Sequence, residues 1–119
     1  MEKINIDMYI RTKDGIIAKV DYIDDNTIFF DKDLYRSYGD SINFLEKDNL
    51  EKIVKASYNI IDILEKGDYV NGVEVINIDD EWITMSAMQV PILKSIANGL
   101  IKSVITHEQM EQIAYKVGE

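Results

Sequence analysis

Cysteine is absent from the 119 residues, which excludes disulfides and thiolate metal sites and suits a reducing compartment. Histidine occurs once, at His107, and proline once, at Pro91. No apolar run approaches the roughly 20 residues that a membrane helix needs. The opening Met1-Glu2-Lys3-Ile4-Asn5-Ile6-Asp7 carries acids where a signal peptide wants an apolar stretch, so a soluble, cytoplasmic protein is expected. Basic residues are scarce: 13 Lys and Arg stand against 22 Asp and Glu, a net charge of −9. Such a surface repels phosphate backbones, and no cluster of Lys and Arg forms a local basic stripe, so direct nucleic-acid binding is disfavoured. The acidity is enough to keep a small protein in solution. A sharper alternative is an acidic, DNA-mimic-like inhibitor that occupies a nucleic-acid-binding enzyme.

What is present is a folded composition, 46% hydrophobic and 29% charged, with an internal echo. Gly15 opens a β-patterned run reaching Ile23-Asp24-Asp25-Asn26-Thr27-Ile28, and Gly72 opens another reaching Ile78-Asp79-Asp80-Glu81-Trp82-Ile83. Asn49-Leu50-Glu51-Lys52-Ile53-Val54-Lys55 finds its counterpart in Gln109-Met110-Glu111-Gln112-Ile113-Ala114-Tyr115. These landmarks keep their order at offsets of 57, 55 and 60 residues, as expected for a duplicated unit whose insertions fall in loops.

Local patterning fills in each copy. Ile4, Ile6, Met8, Ile10 and Thr12 alternate with Asn5, Asp7, Tyr9 and Arg11, which predicts a half-buried strand. Asp14-Gly15 predicts a tight reversal, Ile16 to Ile23 a returning strand, Asp24-Asp25-Asn26 a turn and Thr27 to Phe30 a third strand. Residues 31–39 read as an exposed loop carrying Tyr35 and Tyr38. The apolar spacing over 48–64 fits a helix when read alone. The echo favours a helical turn at 49–52, a strand at 53–57 and a second turn capped by Asn59 with Asp62. In the second copy Asn71-Gly72 predicts a hairpin, residues 81–85 a third strand and residues 86–99 a long loop around Pro91. Leu100 to Ile105 then reads as a strand, Thr106 with Gln109 as a capped turn, and residues 114–117 as a short closing strand.

This order of elements resembles the five-stranded barrel of the Src-homology-3 kind, in which a single helical turn separates the last two strands. The predicted fold is mainly β: two tandem barrels at 1–57 and 67–119, joined by a linker at 58–66 with one helical turn. Barrel closure is expected to remove most unpaired strand edges.

Met8-Tyr9-Ile10-Arg11-Thr12-Lys13-Asp14-Gly15, the stretch from Asn59 to Gly72 and the stretch from Ile105 to Gly118 resemble segments of small phage and prophage proteins of low-GC Gram-positive bacteria. Together they cover about a third of the chain. Met110 stands where those proteins often carry an aromatic, and loops 31–47 and 86–99 lie outside the likeness. The resemblance implies a genomic origin and supplies no catalytic residue.

Few residues invite chemistry. Asp24-Asp25 and Asp79-Asp80 recur at equivalent points, but Asp in a turn accepts hydrogen bonds from the backbone two residues on, and no loop supplies the spaced oxygens of a calcium site. His107 is the default acid–base candidate. It follows a capping threonine on a short turn, which points it at solvent beside Glu108 and Glu111. The serines lack a nucleophile-elbow motif and the glycines form no phosphate-cradling loop, so no enzyme, cofactor or metal is expected. Tyr35, Tyr38 and Trp82 are the residues that could anchor a partner, because aromatics carry much of the energy at interfaces. Trp82, in mid-strand beside Ile83, is expected to be buried; Tyr35 and Tyr38 escape the strand pattern. The leading expectation is a non-catalytic protein-binding module. A virion or assembly component, associating through strand edges, is a further alternative.

Overall fold

The structure, a computed structural model, describes residues 3–88 and 90–114. The chain divides into two compact units, Met1–Ile63 and Leu64–Glu119. Each is built on five antiparallel strands.

In the first unit β1 (Tyr9–Thr12), β2 (Ile17–Ile23) and β3 (Thr27–Phe30) form the meander. A small separate hairpin of β4 (Tyr35–Ser37) and β5 (Asp40–Ile42) follows, replacing the loop expected at 31–39. β6 (Phe44–Glu46) then joins β3, a 3₁₀ segment spans Lys47–Lys52, and β7 (Ile53–Ser57) returns to pair with β1. The sheet order is β6-β3-β2-β1-β7. Ile10, Val20, Ile28, Phe30, Leu45 and Ile53 are among the buried side chains that fill its core.

The sequence pattern fails at the start of this unit. Asp7 takes a positive φ of 72° and its N–H donates to the Val20 carbonyl at 2.9 Å. Regular pairing begins only at Tyr9, which leaves Ile6 at 49% exposure while Ile4, Met8 and Ile10 are buried. A register shift between Arg11 and Thr12 breaks the alternation again. Arg11, expected on the solvent face, is completely buried, and its Nη1 donates to the Ile63 carbonyl at 3.1 Å. That carbonyl ends the 3₁₀ turn Ile60–Ile63, in which Ile61 and Ile63 are buried. Residues 58–63 of the segment expected as a linker therefore belong to the first unit. The turn's Asp62 carboxylate accepts from the Ser57 hydroxyl at 2.7 Å, and Ser57 Oγ accepts from Asn59 N.

In the second unit β8 (Tyr69–Val70) and β9 (Val73–Ile78) form a hairpin whose turn residues Asn71 and Gly72 have φ of 52° and 81°. Two positive φ values in succession match the right-handed twist of the strands. β10 (Trp82–Met85) follows, then β11 (Ile92–Leu93), α1 (Lys94–Ala97), a 3₁₀ turn at Asn98–Leu100, β12 (Val104–Ile105) and α2 (His107–Ile113). The order is β11-β10-β9-β8-β12. The fourth strand and its helical turn thus lie inside the stretch expected as a loop. The strand ending at Ile105 is the fifth, paired with β8 by Val104↔Val70 and Ile105↔Tyr69. The helix capped by Thr106 comes after this strand, so it is not the counterpart of 49–52. The closing strand expected at 114–117 lies, beyond Ala114, outside the described residues.

Asn71 explains why. Its Oδ1 accepts from the N–H groups of Lys102 and Ser103 at 2.7 and 3.1 Å, its Nδ2 donates to the Leu100 carbonyl at 2.9 Å, and its own N–H donates to the Ser103 carbonyl at 2.9 Å. One hairpin side chain positions the approach to β12.

By rank along the chain, the five sheet strands of both units stand in the order fourth, third, second, first, fifth, with a helical turn before the fifth. No ladder pairs β6 with β7 or β11 with β12 among the described residues. Hydrogen bonding does not close the sheets, and their edges are not removed in the way expected for barrels.

Candidate functional site

The β4–β5 hairpin carries both first-unit tyrosines. Leu34 N donates to the Ile42 carbonyl at 2.7 Å and clasps the hairpin base, and Leu34 itself is buried in the core. Tyr38 and Gly39 take φ of 52° and 85° at the tip. This two-residue turn presents the Tyr38 side chain fully to solvent. Tyr35, three positions earlier, is 36% exposed and opposes Ile42.

Lys52, at the end of the 3₁₀ segment, lays its Nζ 4.1 Å from the centre of the Tyr35 ring. A cation over an aromatic face at an exposed site contributes about 0.5–1 kcal/mol. Here it also fixes one wall of a groove of about 300 Å³. Leu34 and Leu45 supply apolar surface to this groove, Thr12 and Tyr35 line it, and Lys13, Asp14 and Lys52 give it charge of both signs. An aromatic, an apolar floor and a few charged groups in one concavity are what a bound peptide segment uses.

Trp82 lies in the second unit. It is 39% exposed rather than buried, because Ile83 and Met85 take the inward positions of β10. Its backbone N–H donates at 2.9 Å to Asp79 Oδ1, which also accepts from Glu81 N at 3.2 Å. In the first unit Asp24 Oδ1 accepts from Asp25 N at 2.7 Å. The first carboxylate of each acid pair thus serves its own turn.

His107 is placed by a buried acid. Asp68 has no solvent exposure, and its Oδ1 accepts from His107 N at 2.9 Å while its Oδ2 accepts from Glu65 N at 2.7 Å. Thr106 and Gln109 complete a reciprocal capping box, as their spacing predicts. Gly67, at φ 93°, passes so close that a Cβ there would stand 3.3 Å from His107 Cβ. The imidazole Nε2 lies 2.8 Å from Glu65 Oε1 and 3.5 Å from Glu108 Oε1. Glu108 was foreseen as a neighbour and Glu65 was not, since 42 positions separate it from His107.

A row of rings in the first unit also went unforeseen. Tyr22 and Phe29, then Phe29 and Phe44, have centroids 5.8 Å apart in tilted pairs across β2, β3 and β6. The signal was available: with Ile28 and Phe30 inward, Phe29 must face out. Comparison of this chain with protein-family models, with curated proteins and with solved structures finds no match.

Proposed function

We propose that this chain is a non-catalytic protein-binding module of phage or prophage origin, acting in the bacterial cytoplasm. It comprises two Src-homology-3-like units in tandem, and the first receives a segment of a partner protein in the groove beside Tyr35. The observation that carries this reading is the Tyr35–Lys52 stack, 4.1 Å from cation to ring centre, at the wall of that groove. A held aromatic loses little conformational freedom when a partner arrives, which favours it as an anchor. Tyr38, at the tip of the same hairpin, supplies a second contact surface.

Support for the tandem architecture comes from the strand order common to the two sheets and from the helical turn that precedes each fifth strand. The likeness of three segments to prophage proteins supports the origin. The alternative of an acidic DNA-mimic rests on the net charge of −9 alone.

The test is affinity capture from host lysate with the wild-type chain and with Tyr35→Ala and Tyr38→Asn. Loss of the same partner with Tyr35→Ala, and weakening with Tyr38→Asn, is the expected outcome. Capture unaffected by both substitutions removes the groove from the binding surface.

A further inference from the structure

We propose that Glu65, His107 and Glu108 form a binding site for a divalent transition-metal ion such as Zn²⁺ in the second unit. One imidazole nitrogen and two carboxylate oxygens, all within 4.8 Å of one another, converge from two chain segments. Among the described residues this is the one group of three such side chains that comes together.

Three features separate it from a chance surface ion pair. The ligand set mixes nitrogen with oxygen, which suits zinc and its first-row neighbours and disfavours calcium and magnesium. Three protein ligands, with the remaining positions left to water, are also the usual complement of an open zinc site. Second, the backbone beneath the ligands is fixed. The buried Asp68 carboxylate holds the N–H of Glu65 with one oxygen and the N–H of His107 with the other, so both residues start from set positions. Third, the two distances from the imidazole need little adjustment. Ligand atoms about 2.0–2.2 Å from a tetrahedral zinc stand about 3.3–3.5 Å apart. His107 Nε2 and Glu108 Oε1 are at 3.5 Å already. Glu65 Oε1, at 2.8 Å, withdraws by about half an ångström as the ion replaces its hydrogen bond to the imidazole.

Binding places the Nε2 lone pair on the ion with the ring proton on Nδ1, and any proton previously shared between Nε2 and Glu65 leaves to solvent. The bound ion clips the turn at 65–68 to the first residues of α2.

Because His107 is the only histidine, its ring resonances report on the site without ambiguity. Zn²⁺ titrated into the full chain is expected to shift them with one-to-one stoichiometry, also seen by calorimetry, and excess Mg²⁺ is expected not to compete. Glu65→Gln and Glu108→Gln should each weaken Zn²⁺ binding at least tenfold, and His107→Ala should abolish it. Glu111→Gln, outside the group, should leave it unchanged. The two glutamine variants keep the test readable if His107→Ala does not fold. Absence of one-to-one binding at millimolar Zn²⁺, or affinity indifferent to both glutamine variants, overturns the proposal.

Discussion

Asp68 and His107, 39 positions apart, are joined by a 2.9 Å hydrogen bond from the His107 backbone N–H to a carboxylate with no solvent exposure. The second oxygen of the same group holds Glu65 N at 2.7 Å. Hydrogen bonds to an ionised acceptor contribute about 1.5–3 kcal/mol each, and leaving a buried donor unmet costs a similar amount. Asp68→Ala is expected to destabilise the second unit by about 3–5 kcal/mol, measured as a fall in the urea midpoint. Asp68→Asn should recover only part of this, since an amide nitrogen cannot accept from the N–H it would face. A midpoint unchanged in both variants would show that the carboxylate holds neither segment.

Asn71 combines two roles that substitution can separate. Glycine keeps the positive φ of 52° and discards the side-chain bonds to residues 100–103. Asn71→Gly should therefore retain the β8–β9 hairpin while the amides of Lys102 and Ser103 lose hydrogen-exchange protection. Asn71→Ala should lose the same protection and cost about 1 kcal/mol more in backbone strain. Protection at Lys102 and Ser103 that survives both changes would refute the link.

Arg11 lies wholly inside the first unit with Nη1 on the Ile63 carbonyl. Truncation leaves the buried Ile63 carbonyl without this donor and opens a cavity, so Arg11→Ala is expected to cost about 2–5 kcal/mol by chemical denaturation. Arg11→Lys should restore little, because an ammonium lacks the planar fork. A loss below about 1 kcal/mol would place the guanidinium among surface ion pairs in energetic terms.

Tyr38 offers the opposite case. Its ring is fully exposed and its φ of 52° is one that asparagine adopts readily. Tyr38→Asn should leave the midpoint within about 0.5 kcal/mol of wild type while altering partner capture. A large stability loss would mean that the ring packs against something.

The features legible beforehand were local ones. Asn71-Gly72 announces its hairpin because only a few residues tolerate positive φ. The Thr106–Gln109 capping box and the strand at 53–57 after a helical turn were equally visible. Period-two reasoning places Ile4, Met8, Ile10 and Thr12 inward correctly, and misses Ile6 and Arg11; Arg11 is buried through a contact with the Ile63 carbonyl, 52 positions away, that the local pattern does not carry. In 86–105 the strand ending at Ile105 was legible, but the strand at 92–93 and the rank of β12 as fifth were not. That rank is set by pairing with β8, 34 positions earlier at Val104↔Val70, and by the reach of Asn71, neither of which leaves a mark in the local sequence. The Glu65–His107 contact belongs to the same class, whereas the outward Phe29 could have been inferred from its inward neighbours.

The clasp between Leu34 and Ile42 has a practical consequence. Chain entering and leaving the β4–β5 finger is already held side by side, so foreign sequence spliced between Tyr38 and Gly39 need not disturb the ladder beneath. Doubling the length of such a graft adds only about 0.6 kcal/mol of closure entropy. The fingertip is thus a natural port for an epitope, a fluorophore tag or a recognition peptide of the experimenter's choosing.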